Sequence, residues 1–417
     1  MIYEAKEKSK LQGEQEKEQT QKMPTEGMED YSIEELEEQI KSHKTKMRRR
    51  TIIGTAAVIL ALIGVYLVIQ LQTYTSVRTI DVYRSENSGN SSYKEFADGV
   101  LKYSRDGISF LNRKGEEEWN QSYQIQNPVI TVYGESAAVA DKGGNSIEVF
   151  TKEGLKGEIE TTRPIEKIAV SSQGIVAAIL KDDASPQIIC YDAAGNVLAE
   201  LSASLTGTGY PLNISLSDDG TILLVSYLVI QNGKASTNVY YYNFGEGGKE
   251  ADNYEIVTDN YEDMTAPSAF FLDQETSVIV GNNRLLIYKG KETPKLAQTV
   301  ELEKEIKSVF YSTRYIGLIL KNEGEEGNEL CLYNKNGKKV LSENFSGDYS
   351  NVKICGSQVI MYEGKKCSVF TRNGIKKFDG ELNETIQEMF PILGVNKYIV
   401  MNANGMEVVR FVNKESL

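Results

Sequence analysis

The chain has 417 residues, with 46 Lys+Arg against 59 Asp+Glu, a net charge of −13 and a single histidine. That residue, His43, precedes a long apolar run, so everything after it works without imidazole. Ser-His-Asp and Cys-His nucleophilic sites and His-ligated zinc or haem are therefore excluded there, and an acidic body gains nothing from counterion release on a phosphate backbone, so no nucleic-acid partner is expected.

The chain opens with residues 1–31, rich in Glu, Lys and Gln and poor in apolar side chains, which reads as a disordered cytoplasmic tail. Ser32 stands three residues before Glu35, the capping-box spacing, and Ile33, Leu36, Ile40, His43 and Met47 follow at helical intervals. A juxtamembrane helix is predicted over 32–50. Residues 51–71 (TIIGTAAVILALIGVYLVIQL) carry no charge and as a helix span roughly 31 Å, the thickness of a bilayer core. The run lies too far from the N-terminus for a cleaved signal peptide and reads as an uncleaved signal-anchor.

Its flank KSHKTKMRRR (41–50) is basic without an acid, which places the N-terminus in the cytoplasm and residues 72–417 outside the cell membrane. Continuing the same rhythm gives Arg50, then Gly54, Ala57, Ala61 and Gly64. These four make a stripe of small residues of the kind that lets membrane helices pair as a homodimer. The alternative is a short apolar stripe lying on the inner leaflet.

After the membrane the chain becomes a series of short β-rich runs separated by turn signals. SFLNRKG (109–115), VFTKEG (149–154), ICYDAAG (189–195), CLYNKNG (331–337) and VFTRNG (369–374) share a hairpin pattern. Each has an apolar or aromatic residue, then Asn, Thr or Asp to close the turn on the backbone, then Gly for the left-handed position. Their spacing of about 40 residues with four strands per period is that of a propeller blade. Blades are predicted to start near Tyr93, Asn127, Pro164, Tyr210, Met264, Lys304, Tyr349 and Glu384. The last has three strands, and the unassigned strand 76–84 can complete it, giving an eight-bladed propeller over 76–416, with seven blades as the alternative. The fold class is thus all-β, preceded by one transmembrane helix.

These hairpins resemble those of the quinoprotein-like and WD40-like propellers. The layout of charged tail, anchor and exported ring resembles an uncharacterised family of bacterial membrane-anchored propeller proteins, a domain of unknown function. The sequence departs from quinoprotein dehydrogenases in lacking a vicinal Cys-Cys pair and repeated tryptophans, Trp119 being the only one. No cofactor is expected.

Cys190 and Cys331 occupy equivalent places in two repeats and read as small core residues, whereas Cys355 and Cys367 fall within one repeat and could approach each other. Acidic clusters at Glu116 to Glu118, at Glu323, Glu325 and Glu326, and from Glu246 to Asp263 sit in or beside turns and read as solvated loops, as does Asp218-Asp219. The fourth blade carries an insertion in which Tyr240, Tyr241, Tyr242, Tyr254 and Tyr261 stand among acids. Tyrosine is a low-entropy contact residue, so these five are the candidate partner contacts, against ordinary packing of alternating sheet faces. The expected function is non-enzymatic: a membrane-anchored extracytoplasmic scaffold or envelope-assembly factor whose partner is an envelope or membrane protein. The alternatives are an extracytoplasmic ligand sensor signalling through the helix and, last, a carboxylate-based glycoside hydrolase.

Overall fold

The computed structural model describes residues 33–84, 91–182, 185–322, 324 and 326–413. The expected tail over 1–31, the cap at Ser32 and the acids Glu323 and Glu325 lie outside them. The chain divides into two units between Gln70 and Leu71.

The described residues of the first unit all lie in one helix, α1 (Ile33–Leu71), 39 residues without a break, whose last residue begins the second unit. Its stretch Ile40–Ile69 is long and apolar enough to cross a membrane. The hydroxyls of Thr45, Thr51 and Thr55 donate to the carbonyls of Lys41, Met47 and Thr51, one turn back, so none is left unpaired along the apolar stretch.

The second unit is a propeller of eight four-stranded antiparallel sheets. Blade 8 takes its outer strand from the start of the unit, β1 (Ser76–Arg84). Blade 1 runs from β2 (Ser92–Phe96) to β5 (Glu117–Ser122), blade 2 from β6 (Pro128–Tyr133) to β9 (Gly154–Glu160), and blade 3 from β10 (Ile165–Val170) to β13 (Val197–Ser202). Blade 4 consists of β14 (Tyr210–Leu216), β15 (Ile222–Gln231), β16 (Lys234–Asn243) and β17 (Glu255–Tyr261). Blade 5 runs from β18 (Ser268–Phe271) to β21 (Lys295–Glu301), blade 6 from β22 (Ile306–Tyr311) to β25 (Lys339–Phe345), and blade 7 from β26 (Asn351–Cys355) to β29 (Lys376–Glu381). β30 (Glu388–Pro391), β31 (Lys397–Asn402) and β32 (Gly405–Val412) precede β1 in blade 8. β1 pairs with β32 from Ser76 opposite Val412 to Arg84 opposite Gly405, which covers an edge that would otherwise expose a row of backbone donors and acceptors.

The repeated hairpin joins the third and fourth strands of a blade. Asn112, Asp192 and Asn334 each accept, through Oδ1, the backbone N–H two and four residues on, and the Thr371 hydroxyl accepts from Ile375 N. The glycine that follows sits at positive φ, from 74° at Gly337 to 123° at Gly154, where a Cβ would be strained. The preceding aromatic of four of the five (Phe150, Tyr191, Tyr333, Phe370) is buried. The core is thereby laid between blades, as where Phe378 of blade 7 stacks on Phe411 of blade 8 at 4.0 Å.

The first strands of blades touch one another around the ring, β6 with β10, β10 with β14, β14 with β18 and β30 with β2, so these strands line the axis. They all run from what we term the upper face to the lower face. The repeated hairpins lie on the lower face, and the turns between second and third strands lie on the upper.

Candidate functional site

A cleft of about 720 Å³ opens at the upper end of the axis. Its walls come from the first residues of β2, β6, β22, β26 and β30, including Ser92, Lys94, Ser308, Lys353 and Glu388. A second cavity of about 540 Å³ between blades 5 and 6 shares Ser308 and Val309 with it.

The wall formed by blades 7, 8 and 1 is held by a charged triad. Lys353 Nζ donates to Glu388 Oε1 at 2.6 Å and to Glu95 Oε2 at 3.1 Å, and lies 5.6 Å from the centre of the Phe390 ring. Glu388 Oε1 also accepts from Tyr362 Oη at 3.2 Å and from its neighbour's amide, Met389 N, at 2.9 Å. Burial alone would lower the lysine's pKa, but the Glu388 carboxylate, together with Glu95, overrides it and holds the ammonium above the ordinary lysine range. Burial raises the pKa of Tyr103 on the same wall. Buried Gln387 Oε1 has no hydrogen-bond partner among the described residues. The mouth is thus lined by polar and charged side chains, Lys94, Lys353, Gln387 and Glu388 among them.

The first strands of blades 3, 4 and 5, which do not line this cleft, are bonded differently. Lys167 of β10 donates to Leu212 O at 2.8 Å and Asn213 Oδ1 at 3.1 Å on β14, and Asn213 Nδ2 donates to Ala269 O at 3.0 Å on β18. No acid of the described residues bonds to this lysine, and burial pushes its pKa down.

Three of the five tyrosines expected as contacts belong to the interior or its edge. Tyr241 is fully buried, donating or accepting a 2.7 Å bond with Ser277 Oγ, and Tyr242 is buried with its hydroxyl 3.0 Å from that of Tyr227. Tyr261, half-buried, shares a hydroxyl contact with Tyr288, which donates to Asp259 Oδ2. Tyr240 is half-buried between Tyr227 and Tyr242, and Tyr254, 38% exposed, packs edge-on against Phe244 on the lower face. The five are not one surface, because both faces of this sheet are covered by neighbouring blades. What the fourth blade does expose is the upper turn of β15 and β16: each strand has ten residues, and they outrun β14, whose Tyr210 pairs with Leu228, to reach an Asn232-Gly233 turn beside Ile230, 68% exposed.

The four cysteines are free and buried, so Cys355 and Cys367 do not pair. Cys355 Sγ lies 3.6 Å from Glu95 Oε2 and Cys367 Sγ 3.7 Å from Met389 Sδ. Asp219 Oδ1 accepts from Ser217, Thr221 Oγ1 and Thr221 N, the bonds of a turn. Neither the triad nor Lys167 was singled out by sequence. The available signal was a charged residue within a strand of a blade's first, otherwise apolar or small, run: NVKIC, IEKIAV and QEMFP.

Residues 70–411 match DUF5711, a family of unknown function. The chain belongs to that family. No curated protein matches it. Among solved structures it is similar to Sqt1 from Saccharomyces cerevisiae, 12% identical over 82% of this chain and 100% of that one, with a TM-score of 0.53. It is also similar to BamB from Moraxella catarrhalis, at 13% identity over 80% and 99% of the two chains and a TM-score of 0.46. Hydrazine synthase from Kuenenia stuttgartiensis is 10% identical over 79% and 97%, with a TM-score of 0.41. At such identities the likeness to Sqt1 is one of fold alone, and this DUF5711 chain shares with it the propeller ring.

Proposed function

We propose that this protein is a membrane-anchored, extracytoplasmic scaffold that holds a protein partner on the upper face of its propeller, as an interaction or envelope-assembly factor rather than an enzyme. The observation that supports it most is the combination on one face of a polar cleft and a projecting hairpin with an exposed aliphatic tip at Ile230. An apolar anchor beside a polar rim is the usual make-up of a protein interface. The basic flank 41–50 supports a cytoplasmic N-terminus. Gly54, Ala57, Ala61 and Gly64 are proposed as a pairing face, and a Cβ added at Gly54 or Gly64 meets nothing within 4 Å in the single chain. The domains proposed are a tail over 1–31, a juxtamembrane helix over 32–50, a span over 51–71 and a ring over 76–416.

The test is photo-crosslinking in cells from single positions of the full chain. Probes at Ile230 and Ser92 should give adducts of one common mass, and a probe at Tyr254 should not. Adducts from Tyr254 alone would move the partner to the lower face, and adducts from none of the three would remove the scaffold reading.

A further inference from the structure

The lower end of blade 8 combines three features that the scaffold reading does not use. The first is an apolar tip. β30 and β31 are joined by a loop in which Leu393 is 89% exposed and Val395 54%, the turn being set by Gly394 at φ 124° and Asn396 at φ 55°. Leu393 is the most exposed large apolar side chain of the described residues. The chain from Met389 to Met406 contains no acid, although the protein as a whole is acidic.

The second feature is a row of cations. Lys397 stands opposite Arg410 across β31 and β32, and Arg410 stands opposite Arg78 across β32 and β1. Like charges directly opposite one another on adjacent strands are destabilising. Arg410 and Arg78 are exposed, and no carboxylate of the described residues pairs with Lys397 or Arg410. Lys397 and Arg410 side by side, with no carboxylate of the described residues on either, point to an anion outside the protein.

The third is position along the chain. Gln72 lines one cavity with Val395, Asn396 and Arg410. It is fixed there because Lys377 Nζ donates to Gln72 O at 3.0 Å and Tyr74 N donates to Lys377 O at 2.9 Å. Gln72 directly follows Leu71, the last residue of α1. Since a residue advances the chain by at most about 3.6 Å, Gln72 to Tyr74 can stand no more than about 11 Å beyond the end of that helix.

We propose that this corner of blade 8 is a lipid-binding surface: Leu393 and Val395 enter the headgroup region of the bilayer, and Arg410 and Lys397 meet anionic lipid phosphates. Exposed aliphatics flanked by basic residues are the chemistry of interfacial membrane contact, and each cation near an anionic leaflet adds to it. A lipid surface rather than a protein occupant is favoured because covalent continuity brings the bilayer to Gln72 whenever α1 spans it. The inference rests on that spanning reading. Its consequence is that the chain meets the bilayer at two points, α1 and this corner.

The test uses the full chain in lipid nanodiscs, with an environment-sensitive dye on a single introduced cysteine. The native cysteines are buried and stay unlabelled. At Leu393→Cys, and independently at Val395→Cys, the dye should emit further to the blue and lose intensity to lipids spin-labelled near the headgroup. At Asn232→Cys, on the upper face, it should do neither. Quenching at Leu393 should be stronger in discs containing phosphatidylglycerol than in phosphatidylcholine alone, and Lys397→Glu with Arg410→Glu should remove that increment. Dyes at 393 and 395 quenched by aqueous iodide and not by the lipids overturn the proposal, as does equal lipid quenching in both disc types for its anionic part. Failure of the chain to remain in membranes after alkaline carbonate washing overturns the spanning reading instead.

Discussion

Two arcs of the propeller axis solve the same problem with different chemistry. Blades 7, 8 and 1 are tied by Lys353 between Glu388 and Glu95, whereas blades 3, 4 and 5 are tied by Lys167 and Asn213 on neutral oxygens. Lys353 is held above the ordinary lysine pKa by its carboxylates, and Lys167 is pushed below it by burial. The charged arc contains the seam. There the Lys353–Glu95 bond joins residues 258 apart in sequence, while every bond of the neutral arc joins blades that follow directly in the chain. Buried ion pairs add little net stability over apolar packing but penalise wrong partners heavily. Charge also joins blades elsewhere, as where Lys152 meets Asp98 between blades 2 and 1, Lys335 meets Asp273 between blades 6 and 5, and Tyr210 donates to Glu166 between blades 4 and 3. A lysine shared by two carboxylates across three blades at the seam, however, is what is expected if the triad specifies which blade meets blade 1.

The comparison breaks most sharply at Glu388. Glu388→Gln should cost about 3 kcal/mol, because it leaves the half-buried Lys353 with only the more exposed Glu95 as a counter-charge. Urea unfolding measures it, and a loss under about 0.5 kcal/mol would show the triad to be a surface pair. Lys353→Met combined with Glu388→Leu should recover most of that loss, since no unpaired charge then remains. On the neutral arc Lys167→Met should cost about 1 kcal/mol at pH 7, the ordinary worth of its bonds.

The two lysines also differ in the sign of their pH dependence. The folded pKa of Lys167 lies below its unfolded value, so the folded state holds that proton less tightly. Wild-type stability relative to Lys167→Met should therefore rise as pH climbs from the folded pKa toward 10.5. For Lys353 the folded pKa is the higher one. Its contribution is complete below 10.5 and lost only above it, so wild type and Lys353→Met should keep a constant difference from pH 7 to 10. Parallel unfolding curves for wild type and Lys167→Met across that range would remove the distinction between the arcs.

What the sequence revealed divides along the same line of local and non-local causes. The lower hairpins were legible because an Asx or Thr oxygen and a left-handed glycine act within five residues, and the blade starts expected near Tyr210 and Tyr93 stand at Tyr210 and Ser92. Near Met264 the blade begins four residues later, at Ser268, because the preceding run crosses between blades before it pairs. The tyrosines misled because alternation separates two sheet faces but does not say whether either is exposed. In a ring both are covered, and Tyr241 and Tyr242 point to opposite faces and are both buried. Lys353 and Glu95 could not be joined from sequence, since no local pattern relates β26 to β2. The Cys355–Cys367 pairing was open on spacing alone, and the structure sends one thiol toward Glu95 and the other toward Met389.

Blade 2 stands outside both arcs and carries an expected electrostatic effect no larger than that of Lys167. Glu148 of its third strand has an Oε2 without a partner among the described residues, and its strand neighbour across the ladder is another acid, Glu158. Burial, then repulsion from Glu158, pushes its pKa up to about 7. The unfolded chain gives up this proton near the ordinary carboxylate value, so the folded state is favoured while Glu148 is protonated and loses that advantage as pH rises from about 4.5 to about 7. With solvent screening of a partly exposed group, Glu148→Gln should stabilise the protein by about 1 kcal/mol at pH 8 and leave it unchanged at pH 4.5. Unfolding midpoints at the two pH values decide it. An equal effect at both would mean that the gain comes from packing and not from charge. A larger effect than that of Lys167→Met would mean that the paired arcs are not where the ring's electrostatics are concentrated.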